Sequence, residues 1–413
     1  MRNLLIITFY WKSEKSVAKM RWINLSLELR KLKYKVFVLT FGDDNKIFED
    51  NGIIIIQRKI IRPFNFLYYS KNNNLSKGVI DSSQNLFLKF LSWCRVNLFY
   101  PDARFLESKN LIQFLTKFID ENNINTIISS SPPHSIHKIV LKLKKTRRFK
   151  WILDFRDPYL NWDILLSMNP TFISKWIHSS FEKYFLKSSD YVIVTNSNLK
   201  KEFSKIISKE KIELIHNGSN INSSSYKPKK FIISYFGLIN KFRNPKVFID
   251  VIDELLTENN EIKEKFEFHI YGNIQPSTIK YLKSKKNLIE SLKIKTFINF
   301  KKLQNRFDST SILLLLLNNN QNQNTTPYKI FDYLVSERPI LTLSDFKNPD
   351  VEYFLKKYKR NKPFSYNDKK GIKNFIISTF NSFNKGKLKN IKCDYSDLRY
   401  DRLAKKYRDI IES

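Results

Sequence analysis

The stretch Asn324-Thr-Thr-Pro-Tyr-Lys-Ile-Phe-Asp-Tyr-Leu-Val-Ser-Glu-Arg-Pro-Ile340 sets hydroxyls, a proline, a lysine and a carboxylate in the order that suits a helix start receiving a phosphate. Thr325 and Thr326 are candidate N-caps, and Pro327 fits the first helical position, where an N–H would be unpaired anyway. A helix beginning there turns free N–H groups and the positive end of its dipole toward an anion. Lys329 in that first turn opposes the dipole unless an anion is bound. Asp332, roughly one and a half turns in, is placed for a hydroxyl pair such as that of a ribose. The plainer alternative is an ordinary capped helix after the core strand Ile312 to Leu317.

A second set lies near the middle of the chain. Asp154-Phe-Arg156-Asp157-Pro follows an apolar run, so its charged groups should emerge at a strand's carboxyl end. Arg156 suits an acceptor or donor anion there. Asp154 or Asp157 suits a general base or its orienting partner, and an internal ion pair that fixes the loop is the alternative. His134, after a double proline at a helix start, titrates near neutrality and can take a proton from a hydroxyl. A surface histidine is the plainer reading of it, and His216 reads as a turn residue.

These residues need a scaffold to position them. A chain of 413 residues exceeds one ordinary core and predicts two domains. Its 42% hydrophobic and 15% aromatic content excludes a disordered chain. A net charge of +34, spread through almost every segment, favours anionic partners: nucleotide sugars, anionic lipid headgroups or nucleic acid. Eight glycines argue against a Gly-rich nucleotide loop, and two distant cysteines, Cys94 and Cys393, suit a reducing cytoplasm. The short apolar run at the amino end reads as a first strand and neither a signal peptide nor a spanning helix.

Strand and helix signals alternate along the chain. Strands are predicted at 4–9, 35–41, 52–57, 126–130, 150–155, 191–195 and 213–216, with helices at 20–32, 111–121, 134–144 and 172–186 between them. After the polar segment 217–230 the pattern restarts, with strands at 231–236, 266–271, 298–300, 312–317 and 339–343. This alternation predicts an α/β fold of two doubly wound, mostly parallel Rossmann-like domains. The expected boundaries are 1–222, 223–394 and a terminal helix within 395–413.

The chain resembles bacterial glycosyltransferases of the GT-B class, family 4-like. The resemblance rests on Thr8-Phe-Tyr-Trp11, Ser129-Ser-Ser-Pro-Pro-His-Ser135, Trp151-Ile-Leu-Asp-Phe-Arg-Asp-Pro158, Ile215-His-Asn-Gly218, Tyr235-Phe-Gly-Leu238 and Thr326-Pro-Tyr-Lys-Ile-Phe-Asp-Tyr-Leu334, in that order. It implies an N-terminal acceptor domain, a C-terminal nucleotide-sugar domain, a final helix crossing back to the first, and metal-free catalysis in a cleft with retention of configuration. No cofactor is implied, since the nucleotide sugar is a substrate. The implied acceptor is a polysaccharide or lipid-linked oligosaccharide. Asp332 matches the second acid of the family's paired-acid motif, and Asn324 stands where the first is expected. Thr325, Thr326 and Lys329 match the diphosphate cradle. Arg243, six residues after Gly237, matches a cation that neutralises the leaving diphosphate, with Lys241 beside it and Leu238 where an arginine is more usual. Arg21 and Lys15 lie on the acceptor side, in a loop lacking the glycines that relatives often carry.

The segment from Gln84 to Tyr100, with Arg62 to Tyr69, interleaves aromatic and aliphatic residues with cations and is a candidate bilayer-interface element. Burial between domains is its alternative. A catalytically inactive GT-B-like binder or scaffold is the competing function. A basic nucleic-acid-binding protein is disfavoured, because no recognition motif or basic stripe is present.

Overall fold

Runs of aliphatic residues without polar alternation are stable as strands only when both faces are covered, and such runs set the architecture here. The computed structural model describes residues 2–11, 19–60, 86–104, 108–222, 228–295, 300–319 and 325–413. The chain divides into two compact units, Met1–Asn217 with Tyr400–Ser413, and Gly218–Arg399.

In the first unit, β1 (Arg2–Thr8), β2 (Tyr34–Gly42), β3 (Lys46–Asp50), β4 (Ile53–Lys59), β5 (Thr126–Ser131), β6 (Lys150–Phe155), β7 (Tyr191–Val194) and β8 (Ile212–Leu214) form one sheet. Their order is β3-β4-β2-β1-β5-β6-β7-β8. The β3–β4 pairing is antiparallel, and β1 is parallel to both β2 and β5. Helices α1 (Met20–Lys31), α2 (Leu86–Leu98), α3 (Lys109–Glu121), α4 (Ser135–Lys144), α5 (Phe172–Ser188) and α6 (Ser197–Phe203) belong to the same unit. The strand order turns back at β1 and β5, whose carboxyl ends therefore form the switch point where α/β sheets bind ligands. The last helix, Tyr400–Glu412, packs on α1, with Tyr407 edge-on to Trp22 at 5.4 Å between ring centres.

In the second unit, β9 (Phe231–Phe236), β10 (Phe266–Tyr271), β11 (Leu292–Lys295), β12 (Ile312–Leu316) and β13 (Ile340–Leu343) form a parallel sheet in the order β11-β10-β9-β12-β13. Every residue of β9, β10, β12 and β13 is buried; the unbroken aliphatic run of β12 requires it, whereas β10 also buries Glu267 and His269, bonded to each other at 2.7 Å. The helices include α7 (Lys246–Glu258), α8 (Pro276–Lys283), α9 (Phe300–Asp308), α10 (Lys329–Val335), α11 (Pro349–Lys357) and α12 (Lys369–Asn384). Here the switch point lies between β9 and β12. Among the described residues no helix is long and apolar enough to cross a membrane.

Several sequence expectations change. Of the strand expected at 298–300, residues 298 and 299 lie outside the described residues, and Phe300 opens α9. The start of the expected linker is part of the second unit, because buried Ser219 pairs with Arg399 and donates its N–H to the Leu398 carbonyl at 2.9 Å. The last helix begins at Tyr400, since Ser396–Leu398 forms a single 3-10 turn of the second unit. Arg62 to Tyr69, Gln84, Lys15 and Asn324 lie outside the described residues.

Candidate functional site

In the second unit, β9 delivers Tyr235, Phe236 and Gly237 to the switch point. Gly237 has a φ of +140°, a region that side chains avoid, and an added Cβ would stand 3.2 Å from the Lys329 Nζ. Gly272 has a φ of +148°, and its Cβ would stand 2.0 Å from the Gly237 carbonyl oxygen. Two glycines at the ends of adjacent strands thus let the β9 turn run backbone against backbone.

Lys329 reaches this turn from α10. Its Nζ donates to the Phe236 carbonyl at 3.2 Å and lies 4.2 Å from the centre of the Tyr235 ring. Burial pushes the Lys329 amine well below its ordinary pKa, and the charge of Arg243 pushes it further. Arg243 enters from the loop after β9, with its Nε buried and unpartnered among the described residues. Its guanidinium bears on the Tyr235 hydroxyl, whose pKa burial pushes up to about 12. That hydroxyl donates to the Leu238 carbonyl at 2.8 Å. Neither Lys329 nor Arg243 is paired with a carboxylate among the described residues. Two basic side chains therefore converge on a glycine turn with no carboxylate partner among the described residues. Lys241 is exposed, its Nζ 4.9 Å from the Phe242 ring centre.

The threonines differ from expectation. α10 begins at Lys329, its N-cap is Tyr328, and no side chain caps it. Thr326 instead donates its hydroxyl to Asp350 Oδ2 at 3.0 Å, and the Thr325 carbonyl accepts from Asn348 Nδ2 at 3.1 Å. Asn348 caps α11 through Val351, so the two threonines fasten the loop to α11. Asp332 falls in the first turn of α10 and is buried, its Oδ1 accepting from the Ser219 hydroxyl at 2.6 Å. Burial pushes its pKa up to about 7, against the opposing pull of Ser219.

In the first unit, Arg21 and Asp154 are not at an acceptor surface, because both side chains are sealed in the core. Arg21 Nη2 meets Asp154 Oδ1 at 3.2 Å with side-chain exposures of 1% and 0%. Asp154 also accepts from Tyr407 (2.9 Å), Trp22 Nε1 (3.1 Å) and Ser130 (2.7 Å). Arg21 donates in addition to Tyr407 and to the Ile215 and His216 carbonyls. Burial works against its charge, yet Tyr407 and Asp154 hold its pKa above the ordinary value. The internal ion pair weighed for Asp154 is what forms, with Arg21 as its partner.

At the switch point, the Thr8 and Ser131 hydroxyls are buried without partners among the described residues. Arg156 arches over the end of β5, Nε donating to the Ser131 carbonyl at 3.0 Å and Nη2 to the Pro132 carbonyl at 3.2 Å. Its guanidinium lies 5.7 Å from the Tyr10 ring centre. Burial pushes the Asp157 carboxyl up, while Arg156 opposes the shift. His134 is not a surface residue: it is buried against Tyr159, 4.2 Å between ring centres, with both ring nitrogens unpartnered among the described residues. Burial, then the neighbouring His137, drives its pKa well down, so its imidazole is neutral. His216 bonds the Thr195 carbonyl through Nδ1 at 2.8 Å, as a turn residue does. Ser219 and Gly272 are site neighbours that sequence reasoning assigned no role, and Tyr10 and Tyr235 entered it only as parts of quoted motifs. Gly272 had a local signal, a glycine ending a strand, whereas nothing local singled out Ser219.

No protein-family model matches the sequence, and no curated protein matches it. Solved structures do match. Sucrose-phosphate synthase from Thermosynechococcus elongatus is similar at 11% identity and a TM-score of 0.66, over 100% of this chain and 98% of that one. A glycosyltransferase from Rickettsia africae is similar at 12% identity and a TM-score of 0.63, over 100% and 98%. The lipopolysaccharide outer core galactosyltransferase WaaB, in its apo form, is similar at 13% identity and a TM-score of 0.56, over 100% and 99%. The chain has the GT-B fold of two Rossmann-like units.

Proposed function

We propose that the protein is a glycosyltransferase that moves a sugar from a nucleoside diphosphate to a hydroxyl of a glycan or lipid-linked acceptor. The observation that carries this reading is the pair Lys329 and Arg243, two basic side chains without a carboxylate partner among the described residues, at the Gly237 turn. A diphosphate supplies the missing charge. When the bond between the anomeric carbon and the diphosphate oxygen breaks, the electron pair leaves with the diphosphate, and fixed cations in a partly buried site stabilise it. That positive charge supports a metal-independent transfer. Asp332 is the candidate ribose ligand and Lys241 an outer cation.

In the first unit, the Thr8 and Ser131 hydroxyls and Arg156 are the candidate acceptor contacts. The acceptor hydroxyl loses its proton as the new glycosidic bond forms. Asp157, a carboxyl pushed up by burial, is the candidate to take it, and His134 is sealed too deeply to do so in this conformation. Retention of configuration and a family 4-like affiliation follow from the motif resemblance and belong to the same proposal. The neighbours' names support it: one was solved with UDP, and another with UDP-2-fluoro glucose.

A second reading, nucleotide-sugar binding without turnover, is favoured by one observation: Asp332 is buried and bonded to Ser219 instead of open to a ligand. A panel of nucleotide sugars tested by thermal shift and by product formation separates the two. Ligand at a hundred times its Kd should add roughly 2.7 kcal/mol of stability. Transfer that persists in a chelator and vanishes in Lys329→Met supports the enzyme. Binding with no transfer to any acceptor supports the binder, and no thermal response to any nucleotide sugar overturns both.

A further inference from the structure

We propose that α2 and α5 together form a docking surface for an anionic lipid bilayer. The two helices are far apart in sequence but bonded to one another. Ser174 donates to the Val96 carbonyl at 2.8 Å, and His178 Nε2 meets the same oxygen at 2.9 Å. At the junction, Asn97 donates to the Trp93 carbonyl at 2.9 Å and accepts the Thr171 N–H at 2.7 Å. One asparagine thus ties the turn of α2 that carries exposed Trp93 to the start of α5, where Phe172 and Ile173 are exposed.

Both helices leave large apolar side chains in water. Phe172 is 85% exposed and Trp176 67%, one turn apart on α5. On α2, Phe87 and Phe90 are 59% and 58% exposed, and Phe90 stacks on Trp93. Exposed aromatics in this density mark an interaction surface.

Charge selects the occupant. α2 contains no acidic residue, and the one acid of α5, Glu182, is buried with its pKa pushed up to about 7 by that burial. The exposed cations Lys89, Lys175, Lys183 and Lys187 stand among the aromatics with no acid to balance them on either helix. Tryptophan and phenylalanine beside lysine, on two helices neither of which is long and apolar enough to cross a membrane, suit the plane of a negatively charged interface. A second copy of the chain would bring the same cations face to face. This surface is independent of the donor-site reading and concerns where the protein works.

The test uses the whole protein with vesicles of phosphatidylcholine alone or mixed with phosphatidylglycerol. Co-sedimentation with the mixed vesicles, at least about tenfold weaker with the neutral ones and in high salt, is expected. The double variant Phe172→Ser, Trp176→Ser should lose at least about tenfold in vesicle affinity while its melting temperature and UDP affinity stay unchanged. A second variant, Lys175→Glu with Lys183→Glu, should lose binding only to the anionic vesicles. No vesicle binding, equal binding to both compositions, or a concentration-dependent dimer abolished by the Phe172/Trp176 variant would overturn the proposal. UDP binding is read separately, so a failed docking surface leaves the donor-site reading standing, and the reverse.

Discussion

Ser219 donates its hydroxyl to Asp332 at 2.6 Å, and among the described residues this is the hydrogen bond that a fully enclosed carboxyl receives. Burial raises the Asp332 pKa from an ordinary 3.8 to about 7. The folded protein therefore keeps a proton that the unfolded chain releases. That contribution to stability is complete below about pH 4 and is lost as pH rises through 7. Asp332→Asn should flatten this dependence and unfold at higher urea than wild type at pH 8, by up to roughly 4 kcal/mol for a three-unit shift. Superimposable pH profiles for the two proteins would contradict the burial of this carboxyl.

Lys329 titrates in the opposite sense. Its amine is held well below the ordinary lysine value, so without ligand the folded state binds a proton less readily than the unfolded chain. A diphosphate favours the charged amine, so binding should take up a proton and weaken as pH rises. Calorimetry of UDP binding in buffers of different ionisation enthalpy measures that uptake. Lys329→Met or Arg243→Met should weaken UDP binding about 10- to 100-fold, the range for losing one charged hydrogen bond. Lys241→Met, at an exposed position, should change it far less.

The glycine pair makes a separate prediction. Gly272→Ala forces a Cβ toward the Gly237 carbonyl at 2.0 Å, and that oxygen belongs to backbone that has no rotamer to change. Strain at such a φ is of order 1–3 kcal/mol. The variant should both melt earlier and lose UDP affinity, because the displaced turn carries the Lys329 contact. A variant that melts earlier with UDP affinity intact would separate the turn from the donor site.

The buried pair in the first unit predicts stability loss without loss of binding. Asp154→Ala strands the Arg21 charge in the core and should cost about 3–5 kcal/mol, read by urea unfolding. Tyr407→Phe removes one hydrogen bond to each partner and should cost about 1–2 kcal/mol. Nucleotide affinity of the folded variants should match wild type, since neither residue belongs to the donor unit.

Much of the fold was legible because buried strands are rich in aliphatic and aromatic residues, even where a polar residue interrupts them, as Ser234 does in β9 and Glu267 and His269 do in β10. β6, β9 and β10 match their expected bounds residue for residue. The antiparallel edge β3 was not legible, since Lys46 to Asp50 is mostly exposed and charged and carries no core pattern. α10 shows the limit of cap reading. Threonine before Pro327 has the right composition for an N-cap, but Thr326 finds a better acceptor in Asp350, a residue 24 positions on. Local spacing carries no information about such a partner. The same holds for Arg21 and Asp154, 133 positions apart: as isolated charges they read as site residues, and only the fold reveals that they satisfy each other. Lys329 was legible from the helix-start pattern around Thr326 and Pro327, and Arg243 from its place six residues after Gly237 in the family motif.

The bond from Tyr407 to Asp154 spans 253 residues of chain, and the whole second unit is threaded between its ends. A ribosome emits Arg21, Trp22 and Asp154 long before the hydroxyl that completes their cluster. The nascent first unit must wait with an ion pair only partly enclosed, while the second unit, contiguous in sequence, is free to finish. The order of birth and the order of maturation are thus reversed. A rearranged gene placing residues 400–413 directly after residue 217 would remove that delay, letting the first unit close on itself as it leaves the tunnel.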